Sequence, residues 1–345
     1  MNDHNAPRRR FIKQAGLAFA FTALLPDPLK AHSLSLTGWQ KRASLPYRVQ
    51  EIYCAVLQGK IHMAGGFIFT PGEAQVSNGH LSYNPETDLW DTLTPLPEPR
   101  HHLQLAAHDG KLYGLGGFIS KGAHATWVMQ QQTWIFNQAN NLWEQGANAP
   151  IAHGETVAAS LQDRIHVVGG RTPKGTSNAT WNDHIDTARH LVYLPDSDRW
   201  ENAAPAPTAR NSAAGAVIDN RLYITGGRTV SGGNANTLEV YDPREDRWHT
   251  ATPMPQAQGG LAAAAVGGKL YAFGGEFFDN GGGVYPQCWI YDPERDEWNK
   301  GPDMLTPRHG LAGASIGNTL YAIAGAKKAG GNETSNILES LTIGG

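Results

Sequence analysis

The sequence predicts an all-β chain built from six copies of one unit, and three observations carry that prediction. First, Gly-Gly closes an apolar run at IHMAGG (Gly65, Gly66), LYGLGG (Gly116, Gly117), IHVVGG (Gly169, Gly170), LYITGG (Gly226, Gly227) and LYAFGG (Gly274, Gly275), with a degraded sixth copy at LYAIAG (Ala324, Gly325). Second, tryptophan recurs in step at Trp39, Trp90, Trp143, Trp200, Trp248 and Trp298, usually after an aromatic-Asp/Asn turn such as YNPETDLW or YDPREDRW. Third, 40 Gly and 21 Pro with only 17% charged residues describe many short strands joined by tight turns, because these two residues supply the backbone angles that turns require. A period of about fifty residues is the mark of a repeat architecture.

Within one unit the elements follow in a fixed order. A small, apolar run (LQLAAHD) reads as strand A, and the run ending in Gly-Gly (KLYGLGG) as strand B; turns such as HDGK, IDNR and VGGK join them, with residues that tolerate positive φ. A third run (TWIFN) and the tryptophan-bearing run (NLWEQG) read as strands C and D. Strand A is often apolar throughout, as in LAAAAVGG, which suits a sheet covered on both faces.

The registered Gly-Gly and Trp signatures resemble the Kelch repeat, in which each unit is a four-stranded blade of a β-propeller. The resemblance covers residues 38 to 345 and implies an all-β, six-bladed Kelch β-propeller with four antiparallel strands per blade. The chain opens with a lone D-type run, GWQKRASLP, and ends with A, B and C-type runs, the last being NILESLTI. The N-terminal strand is therefore expected to complete the C-terminal blade and remove two exposed edges.

The N-terminal segment predicts export. RRRFIK (Arg8 to Lys13), then the uncharged AGLAFAFTALLP and a small residue near Ala31, has the order of a secretory signal, with an apolar part short for a membrane span. Arg8, Arg9, Phe11, Ile12 and Lys13 resemble the twin-arginine signal, with Pro7 where Ser or Thr is usual; an ordinary secretory signal with extra arginines is the alternative. This reading divides the chain into a signal (1–31), a short linker (32–37) and the propeller (38–345), with a periplasmic destination and no membrane insertion once the signal is removed.

The formal net charge of −3, with no basic block beyond the N-terminus, leaves nucleic-acid binding without an electrostatic footprint. Cys54 and Cys288 are too few and too far apart for a disulfide framework or a thiolate metal site, and a bridge between them stays open.

Antiparallel order places the start of A, the end of B, the B-to-C loop and the end of D on one face of the disc, so the candidate site belongs there. Sixteen residues before the first glycine the blades read Val49, Arg100, His153, Arg210, Gln258 and Arg308; an arginine here is part of the Kelch pattern, and Arg100, Arg210 and Arg308 are candidates for structure or for ligand binding. Two residues on they read Glu51, His102, Glu155, Ser212, Gly260 and Gly310, so blades 1 to 3 load one sector with two carboxylates and an imidazole. After Gly-Gly they read Phe67, Phe118, Arg171, Arg228, Glu276 and Ala326: an apolar wall, two anion-binding arginines and an acid. The arginines and Glu276 could equally satisfy one another. The long blade 3 loop carries Trp181, Asp183, His184, Asp186 and His190, and the blade 2 loop His124 and Trp127. Such Asp and His can ligate metal, but polar loops contain them routinely, and no metal ligands are assigned. Aromatic side chains above a polar mouth suit stacking on a sugar ring.

Three functional classes follow. The chain is similar to exported sialic acid mutarotases, six-bladed Kelch propellers that epimerise N-acetylneuraminate at the anomeric carbon, which implies a small polar, acidic carbohydrate ligand and acid–base chemistry by Glu276, His102, Glu51 or Glu155. That family follows its strand B glutamate six residues later by an arginine; here Glu276 is present but the sixth residue on is Gly282, so Arg171 or Arg228 would have to serve. The second class is a non-enzymatic scaffold whose rim binds a periplasmic protein partner. The third, a galactose oxidase-like copper radical enzyme, needs a Tyr-Cys crosslink, whereas Cys54 and Cys288 fall mid-strand as buried hydrophobes do. The residues identify no cofactor.

Overall fold

The computed structural model describes residues 38–70, 73–122 and 126–344; the expected signal and linker, and His124, lie outside the described residues. Six four-stranded antiparallel sheets follow one another along the chain. Blade 1 consists of Cys54–Leu57, Lys60–Ala64, His80–Asn84 and Leu89–Leu93, and the later blades repeat the order. The strand A of each blade neighbours the strand A of the next, and Ala312–Ile316 of blade 6 returns to Cys54–Leu57, so the ring is closed. As expected, Gln40–Lys41 completes blade 6 by pairing with Leu338–Thr342, Gln40 opposite Ser340 and Lys41 opposite Glu339.

Each of the six apolar clusters draws on two neighbouring blades, so blade-to-blade packing is the core. The repeated letters of the sequence are the stitches between blades. Every periodic indole N–H donates to a carbonyl of the preceding blade: Trp39 to Pro302, Trp90 to Ala43, Trp143 to Thr94, Trp200 to Ala147, Trp248 to Ala204 and Trp298 to Thr252, at 2.8–3.1 Å. The Asp of the same turn ties in a second strand, as when Asp88 Oδ1 accepts from both the Tyr83 hydroxyl (2.7 Å) and the Ala43 N–H (2.9 Å).

Gly-Gly works in the other direction. The second glycine donates its N–H to the following blade, Gly66 to Arg100 (2.8 Å), Gly117 to His153 (2.9 Å) and so on round to Gly325 and Val49 (3.0 Å). A Cβ on Gly65 would lie 2.1 Å from that Arg100 carbonyl oxygen, so the approach of the two backbones admits only glycine. Cys54 and Cys288 are both free thiols, Cys288 buried in blade 5 and Cys54 half-buried in blade 1, which settles the open pairing in favour of no bridge. No helix among the described residues is long and apolar enough to cross a membrane.

Candidate functional site

At the mouth of the ring the chain enters each strand A through one left-handed residue. These are Glu51 (φ 51°), His102 (50°), Glu155 (53°), Ser212 (49°), Gly260 (68°) and Gly310 (54°), the position where the blades differ in sequence. Their backbones link round the axis: Glu51 N–H donates to Gly310, His102 to Glu51, Ser212 to Glu155, Gly260 to Ser212 and Gly310 to Gly260, at 2.8–3.2 Å. Glycine is the low-strain residue for this conformation, and a side chain there costs about 1–2 kcal/mol. Blades 5 and 6 therefore show the ordinary solution, while Glu51, His102, Glu155 and Ser212 are held against strain.

Those side chains join a series of alternating charge. Arg171 Nε lies 2.9 Å from Glu155, Glu155 3.5 Å from His102 Nε2, and His102 Nε2 2.9 Å from Glu51. Glu51 lies 3.7 Å from His309 Nδ1, His309 Nδ1 3.3 Å from Glu276, and Glu276 2.5 Å from Arg228 Nη1. Burial would raise the Glu51 carboxyl, but His102, His309 and Arg228 hold it well below the usual carboxylate range. Glu155 is likewise lowered: Arg171 and His102 outweigh its burial and the Glu51 charge. Burial alone would lower the Arg228 guanidinium; Glu276 and Glu155 raise it instead. The Tyr53 phenol nearby is pushed well above its ordinary value by burial and by Glu155 and Glu51.

Hydrogen bonding fixes the histidines. His101 Nε2–H donates to the Thr126 carbonyl (3.1 Å), which leaves His101 Nδ1 as the acceptor for His102 Nδ1–H (2.7 Å). His102 Nε2 then faces Glu51 (2.9 Å) and Glu155 (3.5 Å). Burial and His102 hold His101 itself well below its ordinary value, as an acceptor role requires.

Above this series opens a cavity of about 1060 Å³. Of the expected site residues, Glu51, Phe67, Arg228 and Glu276 line it; His102, Glu155 and Arg171 are buried behind. Phe67, Trp127, Trp181 and Phe278 supply aromatic walls, with Trp181 stacked on the Arg171 guanidinium. The blade 2 and blade 3 loops form one wall, because the Asn178 side chain both accepts from Met129 N–H (2.9 Å) and donates to Met129 C=O (3.0 Å).

Several expectations are corrected by these contacts. Arg100, Arg210 and Arg308 do not reach the cavity: each is buried and donates to the carbonyl closing strand B of its own blade, Gly116 (2.8 Å), Gly226 (2.8 Å) and Ala324 (2.6 Å). Phe118 is no cavity wall either, since it is fully buried in a stack with His101 (5.1 Å between centroids) and His184 (5.5 Å). Beside Gly310 of blade 6 the space is filled by the Glu51 carboxylate. In the blade 3 loop Asp183 caps its own turn, His184 donates to the Trp127 carbonyl, Asp186 accepts from Asn211 and Val230, and His190 pairs with His166. No group of three or more His, Cys, Asp or Glu among the described residues is arranged to hold a metal ion.

Missed from the sequence was His309, which joins the Glu51 and Glu276 ends of the series. It stands one residue before the left-handed position, as His101 does, and that shared offset was its only signal. Also missed was Gly330, whose N–H donates to Glu276 Oε2 (2.8 Å).

Blades stitched by Trp and Gly-Gly, with variable loops over one mouth, define a Kelch-type propeller. The family model described as the KLHDC2/KLHL20/DRC7 Kelch-repeats domain matches residues 156–338, and the chain belongs to the Kelch-repeat family. It is similar to Kelch-like protein 35 of Mus musculus, 28% identical over 206 residues, covering 60% of this chain and 32% of the other. It is also similar to Kelch-like protein terF of Aspergillus terreus, 28% identical over 195 residues, covering 56% and 41%. The matched segments thus span less than half the length of these relatives. The solved structure of YjhT superposes with a TM-score of 0.73 and 17% identity over 86% of this chain and 95% of that one, a likeness of fold.

Proposed function

We propose that the chain is an exported, periplasmic Kelch propeller that binds a small acidic carbohydrate at its mouth and catalyses its mutarotation. The observation that supports this most is the cavity itself: a size at the upper end of ligand pockets, aromatic walls suited to a sugar face, and a floor presenting Arg228 for an anion beside Glu276 and Glu51 for proton transfer. Opening a cyclic hemiketal requires a proton to be delivered to the ring oxygen and another removed from the anomeric hydroxyl. Glu276 and Glu51 touch the cavity and take the catalytic roles; His102 and Glu155 act through Glu51 as positioning residues.

Thermal shift with a panel of acidic and neutral monosaccharides, followed by NMR of anomeric exchange, tests this. Acidic sugars should stabilise the protein, and exchange should fall at least a hundredfold in Glu276→Gln. Absence of any stabilising sugar would sink the reading. It would favour the second one, a scaffold for a protein partner.

A further inference from the structure

Glu276, the acid–base residue of the proposed reaction, is fully engaged as it stands. Its Oε1 accepts from Arg228 (2.5 Å) and its Oε2 from Gly330 N–H (2.8 Å), so the carboxylate is masked at both oxygens. His309 beside it is in the opposite condition. The ring is 1% exposed, and Nε2–H donates to the carbonyls of Lys328 and Gly330 (2.9 Å each), which fixes that nitrogen as a donor. Nδ1 is buried without a well-aligned partner and is turned toward Glu276 Oε2 (3.3 Å) and Glu51 Oε1 (3.7 Å). A bare lone pair between two carboxylates would be repelled by both, so Nδ1 holds a proton.

Among the described residues, the neighbouring cations are already paired elsewhere. The ammonium groups of Lys327 and Lys328, on the adjoining loop, are paired with Glu333 (3.1 and 2.6 Å), and Arg308 is paired with Glu339 (3.0 Å). The proton on Nδ1 is therefore governed by Glu276 and Glu51. Glu51 is already matched by His102 (2.9 Å), whereas the charge on Glu276 depends on Arg228 staying in place.

We propose that His309 is the proton reservoir of the mouth, a positioning residue for Glu276: an anionic ligand that takes Arg228 releases Glu276 Oε1, and the proton on His309 Nδ1 passes to Glu276 Oε2. The proposal rests on the reading that the mouth takes an acidic ligand. In the step an N–H bond breaks and an O–H bond forms; His309 becomes neutral with its lone pair on Nδ1, and Glu276 becomes a neutral acid. The charge of the pair is unchanged, and the ligand's anion is matched by Arg228. Glu276 thus becomes a general acid only when a ligand is seated, and the empty mouth keeps it as a masked carboxylate.

Nitrogen NMR of protein labelled at histidine distinguishes an imidazolium from a neutral ring, and the His309 signal is assigned by its loss in His309→Gln. Arg228→Met releases Glu276 without any ligand. At pH 7 His309 should be an imidazolium in the wild type, neutral in Arg228→Met, and an imidazolium again in the Arg228→Met/Glu276→Gln double variant. A neutral His309 in the wild type overturns the proposal, a measurement that needs no variant to fold. So does an unchanged His309 in Arg228→Met. Glucuronate added to saturation should remove the same proton from the wild type; if it fails to bind, the sugar reading suffers while the Arg228→Met spectrum still decides the role of His309.

Discussion

Alanine at Gly310 and at Gly260 should have unequal effects although the two backbones are alike. Both glycines are left-handed, with φ of 54° and 68°, so a Cβ in either place adds about 1–2 kcal/mol of backbone strain. Their surroundings differ. A Cβ on Gly260 meets nothing nearer than Glu276 Oε1 at 3.7 Å, an ordinary contact. A Cβ on Gly310 would lie 2.6 Å from Glu51 Oε1 and 2.9 Å from Oε2, so the carboxylate must leave. Displacing it separates Glu51 from His102 and His309 and adds about 1–3 kcal/mol, the usual range for overpacking. Urea unfolding at pH 7 should therefore place Gly310→Ala below Gly260→Ala, and only Gly310→Ala should lose the thermal shift given by an acidic sugar. Equal losses in both variants, with sugar binding intact, would refute the packing of Glu51 against Gly310 and with it the continuity of the charge series.

Acid should destabilise the fold through two buried histidine pairs. Burial, as the leading cause, lowers His62 and His166 to about 4 and His80 and His190 to about 3. Each is neutral when folded and takes a proton near pH 6.5 when unfolded, so the unfolded state binds more protons in acid. The stability is complete above pH 6.5 and is lost as the pH falls toward 4 and 3, on the order of 3 kcal/mol for each of His62 and His166 and about 5 kcal/mol for each of His80 and His190. Denaturation midpoints at pH 7.5, 6 and 5 should drop in turn, and His62→Tyr/His80→Thr, which copies Tyr113 and Thr133 of blade 2, should flatten the slope; midpoints independent of pH contradict the assignment. Trp90→Phe removes the indole bond to Ala43 and should lower stability by about 1 kcal/mol in a thermal melt. Arg100→Met should destabilise the fold yet leave sugar affinity unchanged, whereas Arg228→Met should abolish binding; equal losses of affinity would argue against the structural role of Arg100.

The architecture was legible because its cause is periodic. One interblade stitch per unit leaves one Trp and one Gly-Gly per unit, and closure follows from counting strands at the two ends. The site was legible only where a blade breaks its own pattern, which is how Glu51, His102, Glu155, Arg171, Arg228 and Glu276 came to attention. Two things escaped. His309 resembles any histidine beside a repeat arginine until the ring closes and sets it between carboxylates from blades 1 and 5. Phe118 occupies the same repeat position as Phe67, yet Gly154 lets the Phe118 ring sink behind the mouth: a Cβ there would lie 2.3 Å from that ring. Sequence position fixes where a strand ends, while neighbouring side chains decide what faces the cavity.

The pairing of Gln40 with Ser340 has a temporal consequence. Blades 1 to 5 are each complete within a short stretch of chain and can form as they emerge from the ribosome. The ring cannot shut until Leu338–Thr342 has been made, because Gln40–Lys41 pairs with that strand and is separated from it by all the intervening blades. The charge series at the mouth is interrupted until then, since His309 of blade 6 must meet Glu51 of blade 1. The closed mouth is therefore a late event in folding, and a chain stalled before blade 6 would carry every blade 1 to 3 residue of the series without the His309 that completes it.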